Sequence, residues 1–184
     1  SEMCIRDRGM PRHPVYLWTL PMFHCNGWCF PWTITLLAGT HVCLRKVNAA
    51  NIYDSIVKHG VTHLCGAPIV MGMIANAEVK DQRVLSDQVQ IMTAAAPPPP
   101  PVIARMEEME FQVTHVYGLT ETYGPSVVSA WQEEWNELSP TDQALKKGRQ
   151  GLNYPGLQGL MVADSETLKE FPSDGQTLGE VFMK

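Results

Sequence analysis

Between Val15 and Tyr117 the spacing of apolar residues switches repeatedly from strand-like runs to helical stripes. Val15-Tyr16-Leu17-Trp18-Thr19-Leu20 is apolar and β-prone, which predicts a buried strand ending at Pro21. Met22-Phe23-His24-Cys25-Asn26-Gly27 reads as a loop. Trp28–Leu37 predicts a buried helix with Pro31 in its first turn, where a missing N–H costs little, and with Gly39 closing it. His41–Leu44 is a short strand. Ile52, Ile56 and Val57 share one helical face of Asn48–His59, and Gly60 stops that helix. Val61–Cys65 is a strand, and Pro68 opens a helix over Ile69–Ala77. Val89–Thr93 (strand), Val102–Met109 (helix) and Phe111–Tyr117 (strand) complete the series. Strands alternating with helices predict βαβ units, hence an α/β fold whose mixed or parallel sheets are flanked by helices.

The stretch His115-Val116-Tyr117-Gly118-Leu119-Thr120-Glu121-Thr122 combines several kinds of chemistry at one strand end. Glycine lets another group approach the main chain closely. The Thr120 hydroxyl can bond a phosphate oxygen, and a hard cation such as Mg²⁺ takes carboxylate and phosphate oxygens together, which suits Glu121. In open α/β sheets ligands collect beyond the carboxyl ends of strands. A plain strand running into a helix capped by Thr120 fits the same residues, so the pattern alone leaves both open. Ala94-Ala95-Ala96 and Pro97–Pro101 allow two readings as well. In isolation the prolines form a polyproline II segment of the kind SH3 or WW domains bind. Lying between a strand and a helix, at the sheet edge that also carries Gly118, they fit a ligand-lining loop better.

Composition narrows the class. The chain has 184 residues, 45% hydrophobic and 18% charged, which suits one globular domain. A net charge of -5 speaks against a nucleic-acid surface. No apolar run reaches the about 18 residues of a membrane span. Ser1–Arg8 has no apolar signal region, so the expected setting is cytoplasmic. Residues 1–10 match no expected element and read as an unplaced terminus: a tag, a frame artefact or a fragment end. Cys4, Cys25, Cys29, Cys43 and Cys65 are odd in number and include no C-x-x-C pair, so buried, reduced, inert thiols are expected.

Five short motifs, in order, resemble those of the AMP-forming acyl-activating superfamily, which includes acyl-CoA ligases, luciferases and nonribosomal-peptide adenylation domains. Leu20–Gly27 is similar to its P-x-F-H-x-x-G acyl-pocket motif. Thr93-Ala94-Ala95-Ala96-Pro97 resembles its adenine-side loop, and Tyr117-Gly118-Leu119-Thr120-Glu121 its Y-G-x-T-E motif. Arg149-Gln150-Gly151 with Pro155-Gly156, and Gly179-Glu180-Val181, resemble its two later glycine motifs. With Trp131-Gln132-Glu133-Glu134-Trp135, the set looks most like the short- and medium-chain fatty-acid–CoA ligase branch.

The resemblance implies ATP, Mg²⁺, coenzyme A and a fatty acid as cofactors and substrates, with an acyl-adenylate between two steps. It implies that Thr120 bonds phosphate, that Glu121 ligates Mg²⁺ and that Tyr117 stacks on adenine. Gly118 and Leu119 would bring main chain to the nucleotide, and Ala95, Ala96 and Pro97 would line the adenine pocket. His24 would close over the adenylate, with Cys25, Trp28 and Gly66 shaping the acyl pocket. For His24 a hydrogen-bonded loop histidine, and for the other three simple core packing, are the ordinary alternatives. Three family features are missing from these residues: the glycine-rich phosphate loop with its lysine, the ribose-binding aspartate, and the small C-terminal domain with its catalytic lysine. Residues 11–184 therefore read as part of the large N-terminal, adenylation domain, a fragment expected to be inactive alone. The competing functions are adenylation for another acceptor and a non-catalytic, proline-containing interaction module.

Overall fold

A computed structural model describes residues 10–184. Seven strands form one sheet in the order β2-β1-β3-β4-β5-β6-β7. They are β1 (Val15–Trp18), β2 (Thr40–Cys43), β3 (His63–Cys65), β4 (Val89–Thr93), β5 (Phe111–Leu119), β6 (Gly124–Val128) and β7 (Leu152–Asn153). The four junctions from β2 to β5 are parallel, and β5-β6 and β6-β7 are antiparallel. A separate hairpin pairs β8 (Leu160–Ala163) with β9 (Glu180–Met183). The alternation of strands and helices up to β5 is the pattern the apolar spacing predicts. The antiparallel edge makes the sheet mixed.

Side-chain alternation on the strands builds two cores. Leu17, Leu64, Ile91, Phe111 and Val113 face helices α3 (Ala49–His59), α4 (Pro68–Ala75) and α5 (Pro100–Glu108), with Ala144 of α6 (Pro140–Lys147) beside them. Tyr16, Trp18, Cys65, Met92 and Val116 face the other way, against Phe30 and Ile34 of α2 (Phe30–Leu36). Met10 is buried in this second cluster, so the tenth residue belongs to the fold. The remainder of the expected unplaced terminus, residues 1–9 with Cys4, lies outside the described residues.

α3 shows why the local signals succeed. Asn48 is extended and its side chain accepts the Asn51 N–H at 2.8 Å, supplying an N-cap. Gly60 ends the helix at φ 61, where a side chain would be strained. α6 carries an equally clear start that the apolar periodicity does not reveal. The Ser139 hydroxyl accepts the Asp142 N–H at 3.2 Å and donates to the Asp142 carboxylate at 2.7 Å.

Three expectations are corrected. The helix expected over Trp28–Leu37 is split: Cys29 sits at φ 67, ψ 1, and the regular helix spans only Phe30–Leu36. Gly39 does not supply the left-handed stop, which falls on Ala38 at φ 52. Gly39 is small because Pro14 O lies 2.6 Å from where its Cβ would be. The five prolines do not form one free extended segment, because Pro100 and Pro101 are the first residues of α5 and Pro98 is buried.

Candidate active site

The reading of Thr120 as a helix cap fails first. β5 runs on through Leu119 and turns back as β6, so Thr120 and Glu121 stand at the tip of a hairpin. The β-branched pair Val127-Val128 after the Tyr123-Gly124 turn is the sequence signal for that return strand. The pairing shifts register between Tyr117 and Gly118. A Cβ on Gly118 would run into the backbone of Gly124. Gly118 is thus required by the neighbouring strand.

The tip is organised by hydrogen bonds. Thr122 N–H donates to Leu119 O at 3.2 Å and Tyr123 N–H to Thr120 O at 3.0 Å. Inside this double turn the Thr122 hydroxyl accepts the Leu119 N–H at 2.9 Å. It faces two acceptors for its own proton, Gly124 O at 2.8 Å and Leu119 O at 3.0 Å.

Opposite the hairpin stands α1 (Cys25–Trp28), a single turn in which Cys25, Gly27 and Trp28 have φ of 44, 59 and 54. Left-handed backbone costs a residue with a side chain about 1–2 kcal/mol, and strain of this kind gathers at functional sites. Its contacts tie it to the hairpin. Cys25 Sγ lies 3.5 Å from Thr120 Oγ1, and the Cys29 thiol donates to Tyr123 O at 3.3 Å. Cys29 titrates above its ordinary value because burial disfavours the thiolate, so it is not an activated nucleophile. Of the four described thiols only Cys65 is buried. Cys25 and Cys29 are half-buried and Cys43 is exposed, which corrects the expectation of uniformly buried cysteines.

A cavity of about 310 Å³ lies between these elements, at the carboxyl edge of the sheet. His24, Cys25 and Trp28 line one side; Tyr117, Gly118, Leu119, Thr120 and Glu121 line the other; Ala95, following β4, closes a third. Nine of the twelve expected site residues therefore meet in one cavity. Ala94, of the expected ligand-lining loop, also lines it, as do Gly124 and Pro125, which were not expected. Ala96 and Pro97 continue the Ala95 loop but do not line this cavity. Gly66 is buried just past β3, where its N–H donates to Met92 O at 2.9 Å and Val70 occupies the space beside it. The lining contains one carboxylate, Glu121, and neither lysine nor arginine. Among the described residues no three His, Cys, Asp or Glu side chains converge as a metal-binding group.

β5 also anchors a second, larger cleft. Buried His115 donates from Nδ1 to Gly148 O at 3.1 Å and Arg149 O at 2.9 Å. Burial pushes its pKa down, outweighing those two acceptors, which act to raise it. Arg149, Gln150 and Gly151 then line a cleft of about 840 Å³ that reaches β8. Lys147 pairs with Glu107 and stands 4.6 Å from the ring centre of Trp131, which packs edge-on against Trp135 at 5.4 Å. Arg149–Gly151 and the Trp131–Trp135 segment thus lie at this cleft and not in the lining of the Thr120 cavity.

Comparison with known proteins shows the family and the fold. A sequence model described as AMP-binding enzyme matches residues 1–184. An acetate/butyrate–CoA ligase of Arabidopsis thaliana, named as peroxisomal, is 51% identical over 177 residues, covering 96% of this chain and 31% of that protein. A 2-methylpropanoate–CoA ligase of Humulus lupulus is 50% identical over 178 residues, covering 97% of this chain and 32% of its own length. The chain thus spans about a third of the length of the curated relatives it matches. Among solved structures, O-succinylbenzoate coenzyme A synthetase from Bacillus subtilis in complex with AMP superposes with a TM-score of 0.75 at 20% identity. It covers 100% of this chain and 34% of that one.

Proposed function

The chain belongs to the AMP-binding enzyme family, and on that premise we propose that it is the part of an ATP-dependent acid–thiol ligase that holds nucleotide and acyl group together. In the proposed first step a substrate carboxylate oxygen attacks the α-phosphorus of ATP, pyrophosphate leaves and an acyl-adenylate forms. In the second, the thiol of coenzyme A attacks the acyl carbonyl and AMP leaves. The observation that carries this reading is the cavity in which the Thr120–Glu121 tip faces His24, Cys25 and Trp28 across about 310 Å³. Such transfers depend on positioning and charge neutralisation more than on covalent help from the protein.

The roles follow from place and chemistry. Thr120 donates to a phosphate oxygen. Tyr117 presents its ring to adenine beside the small side chain of Ala95, with Ala96 and Pro97 continuing that loop. Gly118 and Leu119 supply main chain at the nucleotide. His24, exposed at the mouth, lies at the acyl end, where Cys25 and Trp28 form the wall, with Gly66 behind it at the end of β3. Mg²⁺ fits this donor set only as an ion held by one carboxylate, Glu121, together with substrate phosphate oxygens and water, which is its usual way of binding at nucleotide sites.

A short, apolar monocarboxylic acid is the favoured acyl substrate, because the named activities of the two ligases above are on acetate, butyrate and 2-methylpropanoate. We take residues 11–184 as part of an adenylation domain whose phosphate loop and lysine-bearing C-terminal domain belong to other parts of the enzyme. No described helix is long and apolar enough to cross a membrane. The proposed compartment is the cytoplasm. A peroxisomal relative makes the matrix of that organelle the alternative, and imaging of the tagged protein separates the two.

ATP–pyrophosphate exchange by the complete enzyme carrying this segment tests the reading. Exchange is expected with acetate, butyrate and 2-methylpropanoate, and coenzyme A is expected to convert it into thioester formation. Absence of exchange with all three acids sinks it.

A further inference from the structure

Among the described residues, the two side chains that the proposed chemistry depends on have few side-chain partners. Thr120 and Glu121 are both exposed, so packing does not fix where they point. The side-chain contact recorded for Thr120 is the Cys25 thiol at 3.5 Å, a weak partner. Their positions must therefore come from the backbone of the turn that carries them. That backbone is closed from inside by one group. The Thr122 hydroxyl takes the Leu119 N–H at 2.9 Å, on the residue before Thr120, and its proton faces Gly124 O at 2.8 Å, on the first residue of β6. A single hydroxyl thus reaches both strands at the neck of the hairpin. The main chain beneath it has no slack, because Gly118 and Gly124 already meet without room for a Cβ.

From this geometry we infer that Thr122 is the positioning residue of the proposed site. Its hydroxyl sets the height and orientation of the Thr120–Glu121 tip over the cavity without touching the substrate itself. The inference rests on the reading of that cavity as the nucleotide site. It predicts a dependence on the hydroxyl, as distinct from side-chain volume. Valine keeps the shape of threonine and lacks the donor and acceptor, whereas serine keeps both and lacks the methyl group. With valine, Leu119 N–H loses its partner, and an unpaired backbone donor pulls the turn toward another conformation.

The test uses the complete enzyme and the variants Thr122→Val, Thr122→Ala and Thr122→Ser. Exchange of pyrophosphate is read as a function of MgATP and of free Mg²⁺, and circular dichroism reports folding. We expect Val and Ala to raise the KM for MgATP and the Mg²⁺ requirement at least about 10-fold, the scale on which groups behind a ligand act. Ser is expected to stay within about 3-fold of the unsubstituted enzyme, and the KM for the carboxylic acid is expected to change little in all three. Hydrogen exchange of the 119–124 amides adds a readout independent of activity: Leu119 should lose protection in Val and Ala and keep it in Ser. If Val does not fold, Ala against Ser decides. Wild-type MgATP and Mg²⁺ dependence in Val or Ala, or an impaired but folded Ser variant, overturns the inference. An unsubstituted enzyme without any exchange removes the reading beneath it instead, which is a different result.

Discussion

His115 shows how much a single residue on β5 links. Its Nδ1–H holds the carbonyls of Gly148 and Arg149, so the strand that ends in the Thr120 tip also fixes the segment entering the larger cleft. Its pKa lies below the ordinary 6.5 because burial disfavours the imidazolium. The native chain therefore binds this proton less readily than the unfolded chain does. The sign follows from linkage: stability is fully present above the unfolded value and is lost as pH falls from about 6.5 through the lowered folded value. Melting temperatures followed downward from about pH 7.5 should drop through that window. His115→Asn should flatten the drop, and an equally steep acid limb in the variant would show that other groups cause it. At the same scale, Gly118 was legible as a special position, but its reason was not. Sequence suggested room for a ligand, whereas the tight neighbour is the backbone of Gly124.

Single elements differ in how far their own residues define them. α3 has an amphipathic stripe, an Asn48 cap and a glycine stop, and it forms where those signals place it. Asn48→Ala removes the acceptor for Asn51 N–H and is expected to cost about 1 kcal/mol, read as a lower urea midpoint with an unchanged slope. A change below about 0.3 kcal/mol would mean that packing of Ile52, Tyr53 and Ile56 alone sustains the helix. α1 is the opposite case. Asn26-Gly27 favours a positive-φ turn, but nothing in the sequence announces left-handed backbone at Cys25 and Trp28 on either side of it. The turn persists because its contacts with Thr120, Tyr123 and the second core outweigh its local cost. The β5–β6 hairpin is intermediate. Its turn residues and the Val127-Val128 pair are visible in sequence, but helix-like and hairpin-like continuations of Thr120 differ only in what lies beside them.

The whole molecule is a sheet with exposed apolar surface around it. β2 and β7 are its edges among the described strands, and β2 is exposed at Thr40, His41 and Cys43, the last a free thiol. Phe23, Ile69, Val84 and Leu178 are each more than 75% exposed. Unpaired edges and apolar surface of this extent favour association. The isolated 184-residue chain is therefore expected to scatter light as aggregates at micromolar concentration and to show no pyrophosphate exchange, since the cavity lining holds no cationic side chain to neutralise a triphosphate. A monodisperse monomer, or clear exchange by this chain alone, would contradict these two expectations separately.

The sequence by itself determined the α/β class, the position of nearly every element up to β5, and the residue types that converge on the cavity. Apolar spacing, helix caps and short motifs are local properties, readable without knowing what lies across space. Tertiary structure alone decided the rest. It placed β6 beside β5 and so made Thr120–Glu121 a hairpin tip. It drew His24, Cys25 and Trp28 over that tip while leaving Ala96, Pro97 and Gly66 outside the lining. It buried His115 against two carbonyls from far along the chain. Each of these depends on contacts between residues far apart in sequence, whose gain is set by shape and desolvation once the chain has folded, and no local pattern encodes that gain.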